Sequence, residues 1–178
     1  VAELMAKARG KGMALVWNFV IDGAYTKNKQ NAATCCLAFT YFEGRLYVRD
    51  VFRDWCTITE LLDKLPPFLI RNGYTQASSI RIEPKANGLD LIDLLVTYKG
   101  LNAEKSYTPV QDKIAAAWSI TPMLRSGRVG LPIAAPWIAA YIKELETFPN
   151  DKYADQVDTT VIMVKEFDQA NSGIIASG

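Results

Sequence analysis

From Ala14 to Ile21 the chain is apolar at every position but Asn18, and the run stops abruptly at Asp22. A stretch with no polar alternation suits a strand covered on both faces, so helices must flank the sheet it joins. Two more strand-like runs follow at 33–42 and 45–53, joined by Glu43-Gly44, a tight hairpin signal. The first three strands are therefore expected to form an antiparallel meander.

The hydrophobic period then changes. Thr57 and Glu60 make a capping pair, and Leu61, Leu62, Leu65, Leu69 and Ile70 recur at helical spacing until Asn72-Gly73. Pro66-Pro67 predicts a kink or a split in that helix. Further along, the pattern predicts a strand at 78–83 and a helix at 86–98 with Leu89, Ile92, Leu95 and Val96 inward. A weak strand at 101–107, a helix from about Pro109 to Arg125 and a strand at 128–131 follow. Helices at 136–147 and 155–167 precede a fraying tail of ten residues. The order βββ-α-β-α-β-α-β-α-α predicts an α/β fold: a mixed sheet, meander plus parallel strands, with helices on both faces. The 178 residues suit one domain, with an ordered core expected at about 12–168.

Composition narrows the chemistry. The chain has no histidine, which removes Ser-His-Asp and Cys-His nucleophiles, His-ligated zinc and imidazole acid–base catalysis. Cys35, Cys36 and Cys56 show no Cys-x-x-Cys spacing and read as small core side chains. A net charge of +1 confines any nucleic-acid binding to a local patch. No apolar span of about 20 residues predicts a membrane anchor.

Against that background three acids stand out. Asp22 ends the first strand, Glu83 ends the run Ile80-Arg81-Ile82, and Asp155 opens the last helix with Asp158 one turn on. Each position also suits a turn or a helix cap. If the strands ending at Asp22 and Glu83 are parallel neighbours, their carboxylates emerge together at the carboxyl edge, where open α/β sheets place ligands. Asp151, Asp155 and Asp158 crowd one short segment, and a divalent cation would relieve their repulsion. An all-oxygen set favours Mg²⁺ or Mn²⁺. Basic candidates for DNA contact are Lys27 and Lys29 after Asp22, Lys85 and Lys113 beside the acids, and Arg128. Arg45, Arg49 and Arg53 are expected on one face of the third strand, for DNA contact or edge protection.

Three segments resemble the acidic motifs of the nuclease domain of large terminase subunits, the DNA-packaging motors of tailed bacteriophages. They are Ile21-Asp22-Gly23-Ala24-Tyr25, Ile82-Glu83-Pro84-Lys85-Ala86-Asn87-Gly88, and Phe148-Pro149 through Asp155-Gln156-Val157-Asp158. Asp112-Lys113-Ile114, Ser126-Gly127-Arg128-Val129-Gly130-Leu131-Pro132 and Trp137 resemble the segment before the third motif, so the likeness covers roughly residues 14–167. It implies an RNase H-like fold with Asp22, Glu83 and Asp155 catalytic and Asp158 an accessory metal ligand. It also implies two-metal hydrolysis of double-stranded DNA with two Mg²⁺ or Mn²⁺ ions, needing no protein general base. Two positions depart from the pattern: Ala154 replaces an acid, and Ala116 stands where arginine is common.

By the same resemblance the partners are the ATPase domain of a longer polypeptide, the small terminase subunit and the portal protein, in the host cytoplasm. No Gly-x-x-x-x-Gly-Lys-Ser/Thr motif is present, so the motor lies outside this chain. The alternatives are another RNase H-like nuclease, such as a junction resolvase or transposase-like enzyme, and a weakly catalytic module docking on DNA or the portal.

Overall fold

Strand β1 (Asn18–Asp22) runs through the middle of the sheet and pairs on both sides, which accounts for its unbroken apolar sequence. The computed structural model describes residues 1–85, 87–108 and 112–175, with side chains to residue 168. Ala86 and the expected helix start at 109–111 lie outside the described residues. On one side β1 pairs antiparallel with β2 (Thr34–Phe42), which pairs antiparallel with β3 (Arg45–Asp54). On the other it pairs parallel with β4 (Ile80–Ile82), itself parallel to β5 (Ala103–Lys105). The short β6 (Val129–Gly130) adds in parallel to β3. Among the described residues this gives six strands in the order β5-β4-β1-β2-β3-β6, the expected mixed sheet.

Helices cover both faces. Phe19, Ile21, Cys36 and Ala38 pack against α2 (Ile58–Arg71) and α3 (Gly88–Lys99). Val20, Cys35, Leu37 and Phe39 pack against α4 (Lys113–Arg125), α5 (Ile138–Thr147) and α6 (Asp155–Ile175). The adjacent Cys35 and Cys36 thus enter opposite cores, both as free buried thiols.

The structure corrects several expectations. A helix α1 (Ala2–Gly10) precedes the sheet where the sequence reads as merely polar, with Lys7 and Lys11 paired to Glu43 of the hairpin. Helix α2 is one uninterrupted helix despite Pro66 and Pro67. The carbonyls that lose their donors belong to Leu62 and Asp63, neither of them buried, so water can satisfy them. Ile70 is 70% exposed, and Phe68 takes the core position instead. In α3 the inward stripe is Gly88, Leu91 and Leu95, with the expected Ile92 partly buried against the same core and Leu89 and Val96 outside, because Gly88 is pressed against the Glu83 carbonyl and sets the helix phase. The last helix continues to Ile175, through most of the expected tail.

The arginine row is also broken. A β-bulge in the β2–β3 ladder pairs Ala38 with Asp50 but Phe39 with Val48, so Arg49 is the extra residue. Arg45 and Arg49 fall on the α2 side, Arg49 lying 4.8 Å from the Trp17 ring, whereas Arg53 turns to the α6 side.

The Thr57 capping box is complete: its hydroxyl accepts from Glu60 N at 3.3 Å and its own N–H donates to Glu60 Oε2 at 3.0 Å. Thr57→Ala should destabilise the fold by about 1 kcal/mol, lowering the calorimetric Tm by about 2–4 °C for a chain of this length.

Candidate metal centre

The site grows out of strand register. Ile21 pairs with Ile82, so the next residues, Asp22 and Glu83, leave the sheet side by side on the α6 face, and Glu83 N donates to Ile21 O at 2.9 Å. Continuing across the sheet, Asp22 pairs with Cys35 and Cys35 with Arg53. Glu83, Asp22, Cys35 and Arg53 thus form one row, with the first turn of α6, carrying Asp155 and Asp158, above it.

Local sequence holds the two strand-end acids in place. Pro84 restricts Glu83 to extended backbone. A Cβ at Gly88 would lie 2.0 Å from the Glu83 carbonyl oxygen, so only glycine lets α3 start against this corner. A Cβ at Gly23 would lie 2.1 Å from the Tyr25 ring, which folds back over the turn from a left-handed φ of 49°. The Tyr25 hydroxyl is buried with no hydrogen-bond partner among the described residues. Burial pushes its phenol upward, and the charges of Asp22 and Glu83 add to the shift.

The carboxylates oppose one another. Asp22 keeps some open surface, yet protein crowds its carboxyl group. That burial pushes Asp22 well above the usual carboxylate range, and the charge of Glu83, a hydrogen bond to it and the charge of Asp158 push it further. Burial raises Asp158 as well, against the pull of the Lys113 ammonium. Lys85 Nζ lies 2.7 Å from Glu83 and Lys113 Nζ 2.5 Å from Asp158. These four side chains line a cavity of about 170 Å³, backed by Ala116 and Val161.

Asp155 is engaged differently. Arg53 directs Nη2 (3.0 Å) and Nε (3.3 Å) at one Asp155 oxygen, and the same Nη2 lies 3.5 Å from Glu144. The rings of Trp55 and Tyr153 each lie 5.1 Å from the Arg53 guanidinium. Glu144, buried on α5, caps α6 by accepting from Gln156 N (2.6 Å), Gln156 Nε2 (2.7 Å) and Val157 N (3.4 Å). Neither role was read from the sequence. The available signal was an acid three residues after Tyr141, on the buried stripe of an amphipathic helix.

Of the four expected ligands, the structure brings Asp22 and Glu83 together and sets Asp158 within their electrostatic reach. Asp155 is buried against Arg53. With a cation on each of Glu83, Asp158 and Asp155, no three acids or thiols stand in metal-holding geometry among the described residues. Asp151 serves its own turn, accepting from Thr147 and from Lys152 N. Lys27 pairs with Glu60 at 2.8 Å, and the Lys29 carbonyl accepts from the Tyr153 hydroxyl at 2.5 Å. Arg128 donates to Gly44 O at 3.0 Å, beside the β2–β3 hairpin and at the other end of the meander from Asp22. The donor set nevertheless fits a hard divalent cation: every candidate ligand is a carboxylate oxygen, and burial loads the Asp22–Glu83 pair with repulsion that such a cation would remove.

No protein-family model and no curated protein matches the sequence. Solved structures do match. The large terminase of a thermophilic bacteriophage superposes with TM-score 0.65 at 14% identity, over 85% of this chain and 39% of that one. The human cytomegalovirus terminase nuclease domain gives 0.64 at 12% identity, over 84% and 82%. The nuclease domain of the bacteriophage SPP1 large terminase, solved with bound Mn, gives 0.56 at 16% identity, over 85% and 86%. The fold is therefore the RNase H-like fold of viral terminase nuclease domains. The chain spans 39% of the length of the thermophilic phage protein.

Two stability measurements test this electrostatic picture. Arg53→Gln leaves Asp155 and Glu144 without their cation and should cost about 3 kcal/mol in urea unfolding, the lower end for a buried pair because Arg53 is itself partly exposed. For Asp22 the folded-state pKa lies above the unfolded value of about 3.9. Asp22's contribution to metal-free stability is therefore fully present below the unfolded value and is lost as pH rises toward the folded one. Metal-free Asp22→Asn should accordingly melt higher than the parent at neutral pH, with the gap closing toward pH 4.

Proposed function

We propose that this chain is a divalent-cation-dependent endonuclease that cuts concatemeric double-stranded viral DNA during genome packaging, by two-metal-ion hydrolysis. The observation that carries the proposal is the adjacent pair of carboxylates, Asp22 and Glu83, delivered to the carboxyl edge of β1 and β4 by one register and faced by Asp158 of α6. The terminase nuclease fold around it supplies the context.

Asp22 and Glu83 would hold the cations from the sheet, and Asp158 and Asp155 would hold them from α6. Arg53 fixes Asp155, and Glu144 fixes the helix turn that carries both aspartates. Bound Mg²⁺ or Mn²⁺ would supply an activated water and charge stabilisation at the leaving 3′ oxygen. The carboxylates set the charge of the site. A chain without histidine needs no imidazole base for this chemistry. The proposal extends to the partners, an ATPase domain in the same polypeptide, the small terminase subunit and the portal protein, and to the host cytoplasm as the place of action. Among the described residues no helix is long and apolar enough to cross a membrane.

Nicking of supercoiled plasmid tests the reading. Activity should require Mn²⁺ or Mg²⁺ and fall about 10²–10³-fold in Asp22→Asn, the equivalent of several kcal/mol of metal-dependent stabilisation. Full activity in EDTA, or in Asp22→Asn, would reject it. In calorimetry Asp158→Asn should weaken Mn²⁺ binding at least as much as Asp155→Asn. At 100-fold excess over Kd, Mn²⁺ should add about 2.7 kcal/mol of stability, a Tm rise of about 5–10 °C that Asp22→Asn loses.

A further inference from the structure

The basic groups on the outer carboxylates are not alike. Arg53 is fixed: its guanidinium is mostly buried, forked onto Asp155 and walled by two aromatic rings. Lys85 and Lys113 are loose, with side chains 66% and 51% exposed on flexible four-carbon stems. Their backbones are nonetheless anchored, Lys85 in the corner between β4 and α3 and Lys113 at the first position of α4, where Asp112 caps the helix. Both ammonium groups border the cavity that Glu83 and Asp158 line.

We propose that Lys85 and Lys113 are exchangeable counter-ions that couple metal binding to DNA binding. Each ammonium sits on a carboxylate that a divalent cation would need. Cation entry releases both, and their stems keep them at the cavity mouth, where they bind a DNA phosphodiester oxyanion. The inference rests on the metal-centre reading above. The exchange is favoured because each ammonium neutralises one carboxylate from an exposed, flexible stem, while a divalent ion engages several carboxylates at once. The lysines would thus bind phosphate weakly until the catalytic ions arrive, and a DNA strand would be held firmly only at a loaded site.

The test is a thermodynamic cycle on a short fluorescent duplex, with Ca²⁺ as a hard divalent probe. Anisotropy titrations in Ca²⁺ and in EDTA compare the parent with Lys85→Gln/Lys113→Gln. The parent should bind about tenfold more tightly in Ca²⁺, with a salt dependence of log K steeper by about one to two, one for each phosphate that a released lysine neutralises. In the double variant EDTA affinity should stay within about twofold of the parent, while most of the Ca²⁺-induced increase and the added slope disappear. An equal loss of affinity in EDTA and in Ca²⁺ would overturn the proposal, because the lysines would then serve DNA regardless of metal. So would a parent whose DNA affinity ignores Ca²⁺ that calorimetry shows to be bound. Calorimetry also separates the two levels: no Ca²⁺ or Mn²⁺ heat from the parent removes the metal centre itself, whereas heat with unchanged coupling removes only the lysine exchange. The Tm of the double variant, measured in Ca²⁺ where the divalent ion replaces the lost ammonium charges on Glu83 and Asp158, shows that it folds.

Discussion

Parallel pairing of β1 with β4 is the interaction on which the site depends. One register, Ile21 opposite Ile82, decides that two buried strands deliver their terminal acids to the same point. A slip of one residue would turn Asp22 or Glu83 into the opposite core. The pairing itself is driven by apolar side chains on both faces of the sheet and owes nothing to the acids it brings together. The hydrophobic effect thus assembles a charge arrangement that electrostatics alone would disperse, and the fold carries a local destabilisation at its carboxyl edge.

Around that edge the molecule distributes its cations unevenly. Arg53 and Glu144 form a network that reads as architecture: an arginine fork, two aromatic walls and a carboxylate capping the helix that brings the remaining aspartates. The two lysines read as occupancy. The pairs differ in burial, side-chain rigidity and the number of partners each cation engages, and those properties separate a fixed support from a replaceable one.

Much of this was legible in the sequence. The element order after α1 is the one that the hydrophobic periods predict, since long two-sided strands and a capped amphipathic helix leave little ambiguity. Asp22 beside Glu83 followed from strand order alone. What stayed illegible was phase and pairing. The inward face of α3 depends on the contact between Gly88 and the Glu83 carbonyl, which no period encodes. The continuity of α2 through two prolines depends on which carbonyls face water. Arg53 looks like one of three equivalent arginines until a bulge separates it from the others. Glu144 is an acid on a buried stripe whose purpose appears only when the N-terminus of α6 is set against it.

The bulge at Arg49 has a wider consequence. It divides β3 into two segments, both paired to β2: the hairpin half, which also carries β6, and the distal half, which carries Arg53. Changes of register at the hairpin, where the chain meets β6 and its own amino-terminal helix, can be absorbed there without rotating Arg53 away from Asp155. The strand behaves like a shaft with a coupling in it. The end that carries Arg53 lies on one side of that coupling, and the hairpin, tied to α1 and to the residues before β6, lies on the other.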